Sequence, residues 1–594
     1  MTTEGLPRWE LGRLYRGLDD KQIDKDLIRM AEEVETFRQN YVPSVKSQMG
    51  AGTLAKALED YQALQRRGLR PYLFAQLSFS VDGTSSLAKS LMAKVQEAWS
   101  RNTEQLLFFE LALMKMEEHA FAALLASPEL LEYRHYLNNL RELAPYVLSD
   151  EAEQIIKRKD LTGKEAFVQL YEEITGEMSF NYTMPGEEKP RSVSGEELMA
   201  LLYHPDAQVR EESFTTFLDG HAQQATVLSA CFNNLLLDHG RECELRGYPD
   251  VMTPTHLDHE TDGEMVSRLM EVSEQNYPLA QEYFALKKRL LGLKEMRNTD
   301  LYAPLNAAPR SYTFDEAKRL VLEAFGGFSE QLGQLAKAFF DDKRIDAPPA
   351  TGKTGGAFCQ GMMPGEKPYV LVNFTGNLRD VSTLAHELGH GVHFALSQRQ
   401  NLYHYQAPLP FAETASVFGE MLLTRHLLAQ ESDRATRISL LCTKLEEIIA
   451  TTFRQNVLTR FELAAHKRRA EGLLSPEEYG EIWWQENAKL FGEQVRMIDA
   501  YRWGWSYISH FIHARFYCTS YVIGELLVLA LYQRYRDQGE SFVPLYHELL
   551  SKGGSAPPRE LLAPFGIDLS APGFWQQGYT QVKELLDELR ALVA

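Results

Sequence analysis

"RDVSTLAHELGHGVHFAL" occupies Arg379–Leu396, and most of the reading follows from its spacing. Val381, Leu384, Ala385, Leu388, Val392, Ala395 and Leu396 recur at three- and four-residue steps, the period of a helix with one buried face. Asp380 stands where an N-terminal cap is expected. His386 and His390 are one turn apart, about 5–6 Å from each other on one side of the helix. Two imidazole nitrogens so placed reach a single metal ion at about 2.0–2.1 Å. Glu387 lies about 100° further round, where it flanks the ion without joining it. That is the place of a general base acting on water. His393 shares the histidine face, but a straight helix rises about 10 Å over seven residues, so one ion cannot take all three. His393 is expected to pack behind the site or steady a ligand.

A hydrolytic zinc site needs a third protein ligand and an open position. In one arrangement a glycine and then a histidine follow the second histidine by three and six residues. Here those positions hold His393 and Leu396, which excludes it. The other arrangement takes a glutamate from a following helix. "PFAETASVFGEMLLTRHLL" reads as a strongly amphipathic helix with Glu413 and Glu420 on the face shared by Val417 and Met421. Carboxylates are unusual on such a face unless they have a partner. Glu413 is the expected third ligand, and Glu420 the carboxylate that orients a ligating histidine from behind.

The rest of the chain reads as mainly α. "DKDLIRMAEEVETFRQNY" and "TLAKALEDYQALQRRGL" carry the same helical period. The first break is "MSFNYTMPGEEKPRSVS", Met178–Ser194, whose alternating arms around Pro-Gly predict a hairpin. A boundary after it divides the chain into a helical N-terminal lobe, 1–194, and a catalytic domain, 195–594. The second break, rich in Gly and Pro, leads into the histidine helix and contains one predicted strand, "YVLVNF", Tyr369–Phe374. That strand is expected to pair with an extended substrate, with Gly355 and Gly356 letting the main chains come close. "APPATGKT", Ala347–Thr354, fits a loose phosphate-loop pattern, yet it lacks the flanking strand and helix, and two prolines remove needed donors.

A third stretch, "YRWGWSYISHFIHARFYCTSYVIGELL", Tyr501–Leu527, concentrates aromatic side chains. His510, His513, Tyr517 and Tyr521 follow one another at three- or four-residue steps and carry hydrogen-bonding tips. Such a stripe of donors suits a wall that stabilises a developing oxyanion.

Composition narrows the partners. The 594 residues carry a net charge of -20, which argues against nucleic acid or an anionic membrane and leaves small peptides open. The N-terminus shows no basic and apolar leader pattern, and the longest apolar run, Leu526–Tyr532, is far too short to span a bilayer. Five scattered cysteines without a Cys-x-x-Cys pair fit a reducing compartment, so a cytoplasmic location is expected.

Taken with "FAETASVFGE", "GGAFC" and "HFIHARFYCTSYVIGELLVLALYQRY", the opening stretch resembles the thimet oligopeptidase and oligoendopeptidase F family of zinc endopeptidases, the oligoendopeptidase F branch in particular. The resemblance runs from about Gly195 to the C-terminus. It implies a two-lobed helical protein with a deep channel, one catalytic zinc ion, and cleavage of short peptides in the cytosol. By it Glu413 matches the third zinc ligand, and His510, Tyr517 and Tyr521 match a histidine and tyrosines that face the metal. Thr519 stands where the branch often has another tyrosine. Two other readings remain: a zinc carboxypeptidase of similar fold, which would release single residues, and a peptide-binding scaffold without catalysis. Intact His386, Glu387, His390 and Glu413 speak against the scaffold.

Overall fold

Helical periodicity governs the structure, a computed structural model that describes residues 5–46, 49–305 and 310–594. Helices run from Lys21–Lys46 to Pro572–Val593, and five short strands complete the regular structure among the described residues. The chain forms two compact units, each assembled from three separate stretches. The first comprises Met1–Pro145, Arg310–Gln430 and Arg534–Ile567; the second comprises Tyr146–Pro309, Glu431–Gln533 and Asp568–Ala594.

Ser194, the boundary suggested by the sequence, therefore lies inside the second unit. The predicted hairpin is present as β1 (Phe180–Tyr182) antiparallel to β2 (Arg191–Val193). It does not mark a gap, because it packs on the following helix, Ala207–Gln223. The Phe180 ring lies 5.7 Å from that of Phe217, and a Cβ on Gly220 would meet Phe180 at 2.3 Å.

In the first unit the helices Lys21–Lys46, Ala51–Val81 and Ser86–Met114 close around Phe37, Tyr61 and Phe109. A second cluster joins Trp9, Phe74 and Leu77 to Tyr369 and Leu371. The N-terminal helices thus share a core with the segment that precedes the histidine helix. That segment contributes β3 (Ile345–Asp346), β4 (Phe358–Gln360) and β5 (Tyr369–Leu371), ordered β3-β5-β4. β5 covers the first half of the predicted strand, and Val372 and Phe374 extend its bonding to the carbonyls of Asp346 and Ala347. The expectation that this strand receives a substrate is corrected by its position. β5 is the middle strand, paired with β3 on one side and β4 on the other. β3 and β4 are the edge strands, and the N-terminal segment bonds beside β3, with Ala347 N–H donating to Pro7 O.

Lys353, the lysine of the phosphate-loop pattern, is buried and donates to Asp346 Oδ1 at 2.7 Å, Val372 O at 2.8 Å and Pro348 O at 2.9 Å. It ties its own loop to the sheet and has no donor left for a phosphate.

The histidine helix spans Leu378–Leu396. Its cap is Asn377, one residue before the helix, whose side chain accepts from Asp380 N–H in a reciprocal capping box. Asp380 is the third helical residue, and its Oδ2 accepts from the main chains of Thr375 and Gly376 at 2.6 and 2.7 Å. Val381, Leu384, Ala385, Leu388 and Val392 are fully enclosed, whereas Ala395 and Leu396 at the far end are only half-buried.

The helix Leu409–Gln430 differs from its predicted amphipathic character: it is buried on nearly every side. The histidine helix and the helix Phe314–Phe328 both pack on it, and the Phe418 ring lies 5.1 Å from Phe328 and 4.4 Å from Tyr546. The two long helices touch main chain to main chain at Gly389, where a Cβ would sit 2.4 Å from Ala415 O and 2.6 Å from Ser416 Cα.

Gly389→Ala is therefore expected to force the pair apart. Overpacking of this kind costs about 1–3 kcal/mol, so the apparent melting temperature should fall together with metal affinity. An unchanged melting curve and metal titration would show that the crossing tolerates a methyl group.

Candidate metal centre

One turn of regular helix sets the Nε2 atoms of His386 and His390 3.2 Å apart. The crossing at Gly389 brings Glu413 opposite them. Its Oε2 lies 3.4 Å from His386 Nε2 and 3.6 Å from His390 Nε2. Among the described residues, this is the one group of three His, Cys, Asp or Glu side chains that could hold an ion.

Whether the group fits a metal can be judged from the triangle itself. A tetrahedral ion with ligands at about 2.0–2.1 Å separates those ligands by about 3.3–3.4 Å. The three observed edges bracket that value. The orientation of the rings agrees with it. His386 Nδ1 lies 2.6 Å from Glu420 Oε1, so the ring proton sits there and Nε2 presents a lone pair to the centre of the triangle. His390 is held by the main chain of Ala412, next to Glu413. Ser416 donates its hydroxyl to Glu413 Oε2 at 2.5 Å. The residues fit the metal.

Electrostatics point the same way. Burial opposes charging of His386, but the Glu420 hydrogen bond and the charges of Glu420, Glu413 and Glu387 outweigh it and raise its pKa to about 9. His390, buried beside it, is pushed down to about 4 by burial, with the charge of His386 adding to the effect. The two rings titrate as a coupled pair, with the charging proton favoured on His386. A dication at the same atoms would supply the positive charge that the cluster otherwise draws from that proton.

Glu387 lies outside the triangle and is buried, 6% exposed. Burial pushes its carboxyl up to about 7, opposed by the charge of His386 and assisted by Glu413 and Glu420. His393 is buried, bonds to the main chain of Ala412 and is lowered to about 4 by burial and His390. It is not among the converging ligand atoms. Gly355 and Gly356 are exposed and lead into β4, with Gly356 at φ +72.

The family can now be placed. Residues 200–581 match Peptidase family M3, and residues 113–180 match Oligopeptidase F. The chain belongs to peptidase family M3. This M3 peptidase is 25% identical over 550 residues to Oligopeptidase PepF of Bacillus subtilis, covering 91% of this chain and 81% of that one. It is 23% identical over 592 residues to an oligoendopeptidase F homolog of Lactococcus lactis, covering 98% and 97%. Its fold is shared with the crystal structure of oligoendopeptidase-F from Enterococcus faecium, at TM-score 0.72, 22% identity and coverage of 96% and 99%. PZ peptidase A with a bound inhibitor gives TM-score 0.75 at 15% identity, with 94% and 97% covered. Membership of a metallopeptidase family implies a metal.

In the second unit of this M3 peptidase the aromatic stretch departs from the predicted helical stripe. A short helix, His510–His513, ends at Ala514, and a new one begins at Cys518. Between them Phe516 adopts φ 54, held there by Glu462, both of whose carboxylate oxygens accept from Phe516 N–H at 3.0 Å. The turn gathers the side chains by another route. The His510 ring stacks on Tyr517 at 5.5 Å and meets Tyr521 edge-on at 5.8 Å, and the Tyr521 hydroxyl lies 3.5 Å from His510 Nε2. His513 leaves this group and pairs with Glu172 at 2.9 Å on the surface.

Sequence reasoning missed Glu462, which is fully buried with its carboxyl raised to about 7 by burial. Its one visible signal is an acidic residue between Phe461 and Leu463. Also missed was the main chain of Ala412, which no sequence pattern reports.

Glu420→Gln removes the charge that holds the His386 proton on Nδ1. Loss of such an outer partner typically weakens metal binding by about 10–100-fold. Competition against a chromophoric chelator should show that drop; wild-type affinity in the variant would mean that His386 needs no such partner.

Proposed function

We propose that this M3 peptidase is a zinc-dependent endopeptidase that hydrolyses internal bonds of short peptides in the cytosol, with His386, His390 and Glu413 as metal ligands. The observation that carries the reading is the triangle of two imidazole nitrogens and one carboxylate oxygen, with Glu387 buried beside it. Two histidines and one acid, with the fourth position left for water, are the usual ligand set of a hydrolytic zinc site. The names of the relatives, oligopeptidase and oligoendopeptidase, support short peptides as the substrate class. Five free cysteines support a reducing compartment.

When bound, the ion supplies Lewis acidity, polarising the scissile carbonyl and acidifying water. Glu387 takes the proton from the attacking water and delivers it to the departing nitrogen, so the C–N bond breaks as the amine becomes neutral. A carboxyl raised to about 7 is suited to both halves of that transfer. Glu420 fixes the tautomer of His386, and His393 steadies the main chain of Ala412 beside Glu413. His510, Tyr517 and Tyr521 are assigned as donors to the carbonyl oxygen as it gains negative charge. Burial first, and then the charges of Arg454 and His513, lower the His510 pKa, which keeps the ring neutral. His513 fastens this turn to Glu172. An extended substrate is assigned to the edge strand β4, with Gly355 and Gly356 leading into it.

Glu387→Gln is expected to retain zinc and lose about 10²–10⁴-fold in kcat, since the amide cannot accept the proton. Metal analysis with turnover of a quenched peptide tests this, and near-normal activity in the zinc-loaded variant removes Glu387 from the role of base. Mass spectrometry of wild-type products should show internal fragments; release of single terminal residues would indicate a carboxypeptidase.

Tyr521→Phe keeps the ring and deletes one donor. The expected loss is about 10²–10³-fold in kcat with KM little changed. A normal kcat would leave Tyr521 as a packing residue only.

A further inference from the structure

The second unit contains a cavity of about 450 Å³ that the proposed hydrolysis does not use. Its size falls within the range of small-molecule sites, about 300–1,000 Å³. Phe214, Phe284, Phe491, Tyr302, Tyr501 and Tyr507 line it together with aliphatic side chains such as Leu202 and Leu490. Five polar residues join the lining, and they differ in how they are partnered: Glu196 is exposed, and Asn487 donates to Trp483 O at 2.9 Å and accepts from the Tyr501 hydroxyl at 3.2 Å. Glu446 is neutralised locally, by Lys287 at 2.5 Å and by the Tyr283 hydroxyl. Arg454 has no carboxylate among the described residues, where its guanidinium donates to the Tyr507 hydroxyl at a long 3.4 Å. Asn298 is 5% exposed; its Oδ1 accepts from Ile498 N–H, while its Nδ2 has no partner among the described residues. A buried amide N–H₂ without an acceptor forfeits its hydration without a replacement bond, so the group calls for an acceptor.

We infer that this cavity is a carboxylate-binding pocket, in which Arg454 and Asn298 hold the carboxylate of a small ligand whose apolar or aromatic body fills the ring-lined space. A planar guanidinium and an amide N–H₂ together offer the donors a carboxylate accepts. The aromatic wall selects an apolar body and excludes a bare inorganic anion. The remaining acid on the lining, Glu196, is exposed, so water and salt screen it from Arg454 and Asn298. The same chemistry is offered by the C-terminal residue of a peptide and by a free aromatic acid.

Calorimetric titration of the metal-loaded protein with N-acetylphenylalanine and with its amide tests the pocket. The acid should bind at least about ten-fold more tightly than the amide, since the amide carries no charge for Arg454. Arg454→Met should abolish binding of the acid. Asn298→Asp should do the same while keeping the acceptor for Ile498 N–H, and so guards against a folding defect at Arg454. Equal binding of acid and amide, no binding of either, or binding that survives both substitutions overturns the inference. A second arm identifies the occupant and alone rests on the peptidase reading. If KM for a peptide with a free C-terminus is lower than for its amidated form, and Asn298→Asp removes the difference, the occupant is the end of the substrate. If KM ignores amidation while the acid still binds, the occupant is a separate small acid.

Discussion

The metal centre depends on two helices being allowed to touch at Gly389. Packed helices normally keep their axes 8–10 Å apart, a gap set by the side chains between them. With no side chain at this point the main chain of Ala415 and Ser416 comes into contact. Glutamate is short, and only at such a distance can Glu413 place an oxygen within 3.6 Å of both histidines. The same approach lets Glu420, two turns further along, reach the opposite nitrogen of His386. One imidazole is thereby gripped at both edges by carboxylates of a single neighbouring helix.

That arrangement gathers three acids and three histidines where Glu387 and His393 are buried and the other four are half-buried. Burying charge is costly unless it is paired, and here the pairing is dense but incomplete. Glu420 is matched by His386, whereas Glu413 and Glu387 compete for the same positive charge. The surplus of acid is what raises the affinity of the triangle for a cation. It is also why the carrier helix, Leu409–Gln430, is enclosed on nearly all sides: a solvated helix would let water screen the carboxylates and weaken their hold on a dication.

What the sequence made legible was whatever one helix could specify alone. The His386–His390 spacing, the flanking place of Glu387 and the buried Val381–Val392 face all follow from a period of 3.6 residues. Glu413 and Glu420 could be read because acids on an apolar face need a reason. The readings that failed needed partners far away in the chain. Tyr369–Leu371 looks like any half-buried strand, and only the two-residue β3 makes it central. The His510–Tyr521 stripe was drawn on a continuous helix, but Glu462, more than fifty residues upstream, holds Phe516 in a left-handed turn. The boundary after Ser194 followed a real change of period, yet Phe180 and Phe217 pack across it. Helix type is a local property, whereas strand order, turns and unit borders are settled by tertiary contact.

Buried charged groups in this chain divide by how completely they are satisfied. Lys353 has four acceptors, Lys287 has Glu446 and a carbonyl, Arg210 has Asp300 at 2.7 Å and two carbonyls, and Glu462 has Arg515 and a main-chain N–H. Each fixes main chain, and replacing any one would strand its partners. Glu387 and Arg454 differ. Among the described residues no cation is bonded to Glu387 and no carboxylate to Arg454, and Arg454 lines the cavity of the second unit. In the proposed reading Glu387 meets the water and peptide of hydrolysis, and in the further inference Arg454 meets a ligand carboxylate.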